Sequence, residues 1–283
     1  VQLSDGPKRI GITRAHLEED AGKLIHQKHK SAVDLNRCGT PLIEIVSEPD
    51  MCSVEDVRAY LDQLKQSIQY IEVSDCDMEK GNLRVDLNIS LRKKGETKMG
   101  IRREVKNLNS FRFVEKAIKY EIAKQAEILE LGGEIVQSTL LWDEKKNCSY
   151  MIRTKEDAPD YRYFPDPDLP PLKISDKQID EIKSQMPELP LAKSERFLVD
   201  YSLNIVDIER LISDKKTACF FEDTVKIGAE PQKVANWILV HLTKELKELK
   251  QHLGGIQLTP EMLAELIFLI DDGKITDLIA RDI

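Results

Sequence analysis

Between residues 83 and 91 a polar residue recurs at every second position: Arg84, Asp86, Asn88 and Ser90 alternate with Leu83, Val85, Leu87, Ile89 and Leu91. Period 2 puts the two sets on opposite faces of a strand. The polar face then carries a guanidinium, a carboxylate, an amide and a hydroxyl in one line. A guanidinium forks onto phosphate oxygens, and a carboxylate beside an amide oxygen suits Mg2+. The same alternation also describes the solvated face of an ordinary half-buried strand, and pattern alone favours that plainer reading.

Glu44 poses a different question, because it interrupts the apolar run Leu42, Ile43, Ile45, Val46. A strand of that composition is expected to be buried on both faces. A buried carboxylate costs several kcal/mol unless it is paired or metal-bound. Glu44 therefore reads as a ligand or ion-pair partner, or else as a residue of an edge strand that leaves it in water. Upstream, Glu18, Glu19 and Asp20 are adjacent. Such a run is usually a solvated turn, but it can also place oxygen ligands beside a cation, with Lys23 three residues on to meet a phosphate. The stretch from Lys106 to Asn109 leaves a strand and enters a helix, whose N-terminal N–H groups receive anions well. Capping by Ser110 explains the same residues more simply. Residues 160–168, DYRYFPDPD, read as a rigid functional loop. The chain holds no Walker A, G-x-G-x-x-G or G-x-S-x-G string, so P-loop, Rossmann and serine-hydrolase readings have no support.

The elements that must position these residues fall into two regions. Up to residue 175 short strand-like runs dominate: 9–14, 42–46, 83–91, 101–108, 135–142 and 149–153. Two helices interrupt them. Ser53 is an N-cap candidate with Asp56 three residues on, and Ser110 precedes a helix over 113–131 that Gly132 and Gly133 end. A hairpin is plausible at Lys94-Gly95. The predicted class is α+β with a largely antiparallel sheet. A proline-rich stretch, 165–171, marks a break. Beyond residue 175 the pattern is helical: 176–184, 192–200, 205–213, 217–227, 231–252 and 260–271, the last opened by Thr259 with Pro260 at the first helical position. Two domains are expected, 1–175 and an all-helical 176–283.

Composition narrows the class without naming a function. The chain has 283 residues, 41% hydrophobic and 33% charged, which suits one large or two medium domains with real cores. No apolar run approaches the ~20 residues of a membrane span. Five scattered cysteines with no C-x-x-C pair point to reduced thiols and a cytoplasmic protein rather than a disulfide framework or zinc site. His16, His26 and His29 are the local histidine cluster, a weak basis for a metal site. A net charge of −8 is a poor footprint for general nucleic-acid binding, although one local basic face would suffice. A chain that starts on Val1 reads as part of a longer protein.

Several long strings, in order, resemble one family. HLEEDAGK from His16, VDLNRCGTPLIEIVSEPD from Val33, MEKGNLRVDLNIS from Met78, EVKNLNSF from Glu104 and DYRYFPDPDLPPL from Asp160 are similar to the B subunit of the GatCAB tRNA-dependent amidotransferases. ELP from Glu188 and LTPEMLAELI from Leu258 extend the likeness into the helical part. The resemblance implies a cradle-shaped, kinase-like domain, a helical domain and a C-terminal tail. It implies use of ATP and Mg2+ to phosphorylate the side-chain carboxylate of Glu-tRNA(Gln) or Asp-tRNA(Asn). Ammonia would come from a partner amidase, the A subunit, and the small C subunit would complete the complex.

On these positions the resemblance makes Glu19 and Glu44 metal ligands and lines Arg84 and Asp86 on the strand that faces the phosphates. Lys23, Asn88, Lys106 and Asn109 are the expected nucleotide-binding set. Glu19 and Glu44 should converge on one Mg2+, with Arg84 and Asp86 facing the same cleft. The helices from 176 should bear on tRNA, with the Lys-rich stretch 244–250 as one weak candidate face. The pattern also departs from the family. An N-terminal segment that supplies a Glu and a His to the metal site is not in this sequence, nor is the tail. Lys80 stands where many relatives carry an acidic residue, and Pro159 where they carry a polar one. An archaeal-type E subunit shares the cradle, but its inserted domain finds no room near residue 175. A non-catalytic tRNA-docking scaffold is the alternative from another class.

Overall fold

The computed structural model describes residues 1–154, 167, 168, 170–251 and 253–282. The chain packs as two compact units, one of Val1–Asp62 with Val85–Glu156, the other of Gln63–Arg84 with Asp157–Ile283. The division falls within the first helix. The helical region expected from residue 176 lies wholly in the second unit, which also takes in residues 63–84.

The first unit opens with three small antiparallel pairs. β1 (Gln2–Leu3) pairs with β2 (Gly6–Pro7). β3 (Ile12–Glu19) pairs with a later strand, after β4 (Lys23–Gln27) and β5 (Lys30–Asp34) have made a hairpin of their own. That later strand is β6 (Pro41–Ser47). Its apolar composition predicts burial on both faces, yet none of its residues is buried. The physical reason is its setting: β6 has one strand partner, β3, so the pair forms a two-stranded ribbon whose faces stay largely open. Glu44 is exposed rather than buried, and it pairs with Arg14 at 3.2 Å.

α1 (Val54–Tyr70) starts as expected: the Asp56 N–H donates to Ser53 Oγ at 3.0 Å and the Ser53 N–H donates to Asp56 Oδ2 at 3.1 Å. Lys8 also donates to that carboxylate at 2.6 Å. Burial works against the Asp56 charge, but the Lys8 ammonium and the backbone N–H of Cys52 hold its pKa below the usual carboxylate range.

The rest of the first unit is a four-stranded sheet, ordered β10-β9-β8-β7, from β7 (Leu87–Ile89), β8 (Arg103–Lys106), β9 (Ser138–Asp143) and β10 (Cys148–Thr154). The outer pairs are antiparallel and the central pair, β8 with β9, is parallel. A parallel pair needs a crossover, and α2 (Phe111–Glu130) supplies it. β7 is shorter than the alternating run 83–91 because it pairs only opposite Arg103–Val105. Between them the chain turns at Lys94-Gly95, where Gly95 takes φ +92°. Gly100 is held by close approach: a Cβ there would sit 2.0 Å from the carbonyl oxygen of Leu91.

One face of this sheet packs on the helices. Leu87, Val105, Leu140 and Trp142 meet Val114, Ala117 and Ile118 of α2 and Leu61 of α1. A buried polar group interrupts this core, since Glu121 accepts from Ser149 Oγ and lies 3.9 Å from the Arg103 guanidinium. Ser110 caps α2 by accepting from the Phe113 N–H, which is the simpler of the two readings of that segment.

The second unit is helical: α3 (Asp176–Gln185), α4 (Pro190–Tyr201), α5 (Ile205–Ile212), α6 (Lys215–Lys226), α7 (Pro231–Asn236), α8 (Thr243–Leu249), α9 (Pro260–Asp271) and α10 (Asp277–Asp282). Its core runs through Phe197, Leu211, Phe221, Ile238, Leu263 and Ile267. Residues 63–84 are fastened to it by Tyr70, whose buried hydroxyl donates to the Ile212 carbonyl at 2.7 Å, and by Lys215, which donates to the Tyr70 carbonyl at 3.0 Å. Burial pushes the Tyr70 phenol well up from its ordinary pKa, so it stays a donor. Thr259 caps α9 with Pro260 behind it, as its sequence predicts. The predicted helix 231–252 runs without a break from Pro231 to Leu249, with a π-helical stretch, Trp237–Leu242, between α7 and α8. There the Trp237 and His241 rings lie 4.7 Å apart, and Thr243 Oγ1 donates to the Ile238 carbonyl. The ELP string also has a structural role. Glu188 accepts a bidentate pair from Arg196 at 2.8 and 2.7 Å, and buried Lys193 joins Glu188 at 3.2 Å to Glu222 at 2.5 Å. The Arg196 bond holds the Glu188 carboxyl below its ordinary pKa.

Candidate active site

The face of the four-stranded sheet away from α2 is polar. Its composition follows from register: Asn88 lies opposite Glu104, Glu104 beside Thr139, and Thr139 opposite Arg153. Asp86 precedes β7 by one residue, which carries it to the level of Lys106. The Lys106 ammonium donates to Asp86 Oδ2 and lies 3.3 Å from Glu104 Oε1. A lysine between two carboxylates stays charged: burial opposes the charge, but Asp86 and then Glu104 raise its pKa above the ordinary lysine value. About a third of the Lys106 side chain remains accessible, so the ammonium is both fixed and reachable.

Asn109 sits at the turn into α2 and donates to Glu144 Oε1 at 2.8 Å. The neighbouring Asn107 adopts φ +65° and donates to the Trp142 carbonyl, which shapes the turn. Arg84 falls in the other compact unit. Lys23 opens β4 opposite Asp34 and is exposed. The structure thus brings Asp86 and Lys106 into contact, with Asn88 on the same face of the sheet.

The acidic run behaves otherwise than expected. Residues 16–19 belong to β3 and are not a turn, so they alternate. His16 lies opposite Glu44, and Glu18 shares their face. Glu19 lies opposite Pro41 on the other face. The register therefore does not bring Glu19 and Glu44 together; parity makes Glu18 the neighbour. His16 Nε2 is 3.0 Å from Glu18 Oε1 and 3.5 Å from Glu44 Oε2, and Arg14 reaches the same Glu44 oxygen at 3.2 Å. One ligand atom from each of His16, Glu18 and Glu44 lies within 4.8 Å of the others, close enough to share an ion. All three are exposed. Two carboxylates and an imidazole fit a divalent cation that keeps several waters. Sequence reasoning does not single out His16 and Glu18 as a pair; the signal was the alternation of 14–19 against 41–46, legible once both runs are taken as paired strands. Lys80 is 3.0 Å from Asp77 and 4.0 Å from Asp75. Residues 160–166 of the DYRYFPDPD loop, and Pro159 before it, lie outside the described residues.

Among the described residues no helix is long and apolar enough to cross a membrane. Residues 1–180 match the family model described as the GatB/GatE catalytic domain, and residues 219–283 match one described as the GatB domain. The B subunit of the aspartyl/glutamyl-tRNA(Asn/Gln) amidotransferase of Persephonella marina is 52% identical over 284 residues, covering 100% of this chain and 60% of that protein. The protein of the same name from Brevibacillus brevis is 47% identical over 285 residues, with the same two coverages. That of Solidesulfovibrio magneticus is 50% identical over 278 residues, 98% of this chain and 58% of its own length. The chain thus spans about three fifths of the length of the curated relatives it matches. With one family model covering residues 1–180 and a second covering the helical end, this chain belongs to the GatB/GatE family.

Proposed function

We propose that this chain carries the ATP-dependent activation step of a tRNA-dependent amidotransferase. The observation that carries the reading is Lys106, held charged and accessible between Asp86 and Glu104 on an open sheet face. Phosphoryl transfer asks a protein mainly for positioning and for stabilisation of charge on the equatorial oxygens. Lys106 supplies a fixed positive charge, and Asn88 on the same face supplies an amide for the nucleotide. Asp86 orients Lys106; Lys23 and Asn109 complete the proposed binding set through the family likeness. His16, Glu18 and Glu44 would hold a divalent cation, Mg2+ in the proposed reaction, which supplies neutralisation of phosphate charge when bound. Glu19, on the opposite face of the ribbon, has no part in that cluster.

The substrates proposed are Glu-tRNA(Gln) and Asp-tRNA(Asn). A side-chain carboxylate oxygen takes the terminal phosphoryl group of ATP, releasing ADP. Ammonia then attacks the activated carbon, and inorganic phosphate leaves as the amide forms. Ammonia comes from a partner amidase, the A subunit, with the small C subunit in the same cytoplasmic complex, and the helices from residue 176 bear on tRNA. The names of the relatives, which specify aspartyl/glutamyl-tRNA(Asn/Gln) amidotransferase, support this substrate class.

Asp86→Asn tests the reading in the full-length protein with its partner subunits. The change removes the charge that orients Lys106, and a charge-assisted hydrogen bond of this kind corresponds to about 10- to 100-fold. ATP-dependent amidation should fall by about that factor. Glutamine hydrolysis, assayed alone, should be unchanged. Wild-type amidation by this variant would remove Asp86 and its lysine from the reaction.

A further inference from the structure

Behind Lys106 lies a line of polar contacts that runs across β8, β9 and β10. Glu104 on β8 uses both carboxylate oxygens. Oε1 lies 3.3 Å from the Lys106 ammonium, and Oε2 accepts from the Thr139 hydroxyl at 3.0 Å. Thr139, on β9, is fully buried. Its oxygen in turn accepts from Arg153 Nε on β10 at 3.4 Å. On the far side Lys106 donates to Asp86, beside β7. A buried hydroxyl that donates to a carboxylate fixes the rotamer of that carboxylate, because leaving either group unpaired in the interior is costly. Fixing Glu104 fixes one of the two anions that hold Lys106. A long, flexible lysine gains from such support, since its ammonium otherwise samples many positions at the cost of binding entropy.

We infer that Thr139 is a positioning residue, which acts through Glu104 to set the Lys106 ammonium on the open sheet face for an anionic ligand. The inference rests on Lys106 being the anion-binding group of the proposed reaction, but the hold on Lys106 can be measured without that reaction. The first measurement uses the 283-residue chain labelled with 15N-lysine, with Lys106→Met identifying the Lys106 ammonium signal. In the wild type that ammonium should exchange slowly with water. Thr139→Val keeps the shape and removes the hydroxyl, and its Lys106 exchange should be about tenfold faster, the loss of one good hydrogen bond. Thr139→Ser should restore slow exchange. Glu104→Gln, which keeps the shape of the chain at that position and removes its charge, should speed exchange as Thr139→Val does.

The second measurement uses the full-length protein with its partners. Thr139→Val should raise the KM for ATP about tenfold and leave the KM for aminoacyl-tRNA unchanged, with Thr139→Ser within about twofold of wild type. Unchanged Lys106 exchange in both Thr139→Val and Glu104→Gln would overturn the proposal. So would equal losses in Thr139→Val and Thr139→Ser, which would show that packing and not the hydroxyl matters. If exchange responds as expected while Lys106→Met leaves ATP-dependent amidation intact, the positioning stands and the proposed role of Lys106 in the reaction fails.

Discussion

Lys106→Met in the full-length protein is expected to lower ATP-dependent amidation by about 100- to 1,000-fold, the range seen when one preorganised stabiliser of developing charge is removed. The size of the effect follows from the lysine's setting. Its ammonium is pinned by Asp86 and Glu104, so on the proposed reading it would meet a phosphate with little reorganisation. Methionine keeps the apolar stem but lacks the terminal ammonium, so it leaves the two carboxylates facing each other with no cation between them. Anion binding should suffer from both the lost charge and that repulsion. Lys106→Arg should recover only part of the loss, since a planar fork does not occupy the same point as a compact ammonium. Glutamine hydrolysis by the partner, followed as glutamate release without ATP, is the control that should not move. A Lys106→Met variant within twofold of wild type would show that the sheet face has another purpose.

Phe221→Ala is expected to destabilise the helical unit by about 3–5 kcal/mol, the usual cost of a large aromatic lost from a close-packed core. Phe221 is fully buried, and its ring centroid lies 5.2 Å from both Phe197 and Tyr201. These rings come from α4 and α6, which also share the ion network of Lys193, Arg196, Glu188 and Glu222. Removing the ring leaves a cavity in an apolar core that the surrounding helices can close only in part. Urea unfolding followed by far-UV circular dichroism would report the loss as a lower midpoint. A change below about 1 kcal/mol would mean that the site closes over the cavity more completely than a rigid core allows.

How much of this was legible in the sequence depended on the range of the interactions involved. Helix starts were readable because a cap is a local device: Ser53 with Asp56, Ser110, and Thr259 with Pro260 all act within one turn. The β4–β5 hairpin carries no local sequence signal, because its turn, Lys28-His29, lacks the Asn-Gly or Asp-Gly chemistry that marks tight hairpins. Strand length was overread at 83–91, since the partner strand and not the alternation sets where pairing ends. Glu44 looked buried because its neighbours are apolar, but burial is set by how many layers cover a strand, and a two-stranded ribbon has few.

The candidate site was legible in part. The alternation of Asp86 and Asn88 correctly gave one polar face. Lys106 came from a helix-start argument, whereas the structure holds it by ion pairs across β7 and β8. Thr139 and Arg153 were invisible, because their contacts to Glu104 and to each other depend on strand order, including one parallel pairing across a helical crossover. The choice between Glu18 and Glu19 turned on parity. A one-residue difference moves a carboxylate to the other face of a ribbon, and only the register with β6 decides it.

In the proposed function, the chain directs a phosphoryl group from ATP onto the side-chain carboxylate of a tRNA-bound amino acid. The most direct test of that step is a rapid-quench experiment on the full-length protein with its partners, Glu-tRNA(Gln) and ATP labelled with 32P in the γ position, in the absence of glutamine and ammonia. The predicted result is capture of label on the aminoacyl group, ADP released in equal amount, and conversion of the labelled species to Gln-tRNA when ammonia is added. Amidation by added ammonia with no ADP formed and no label on the aminoacyl group would contradict it.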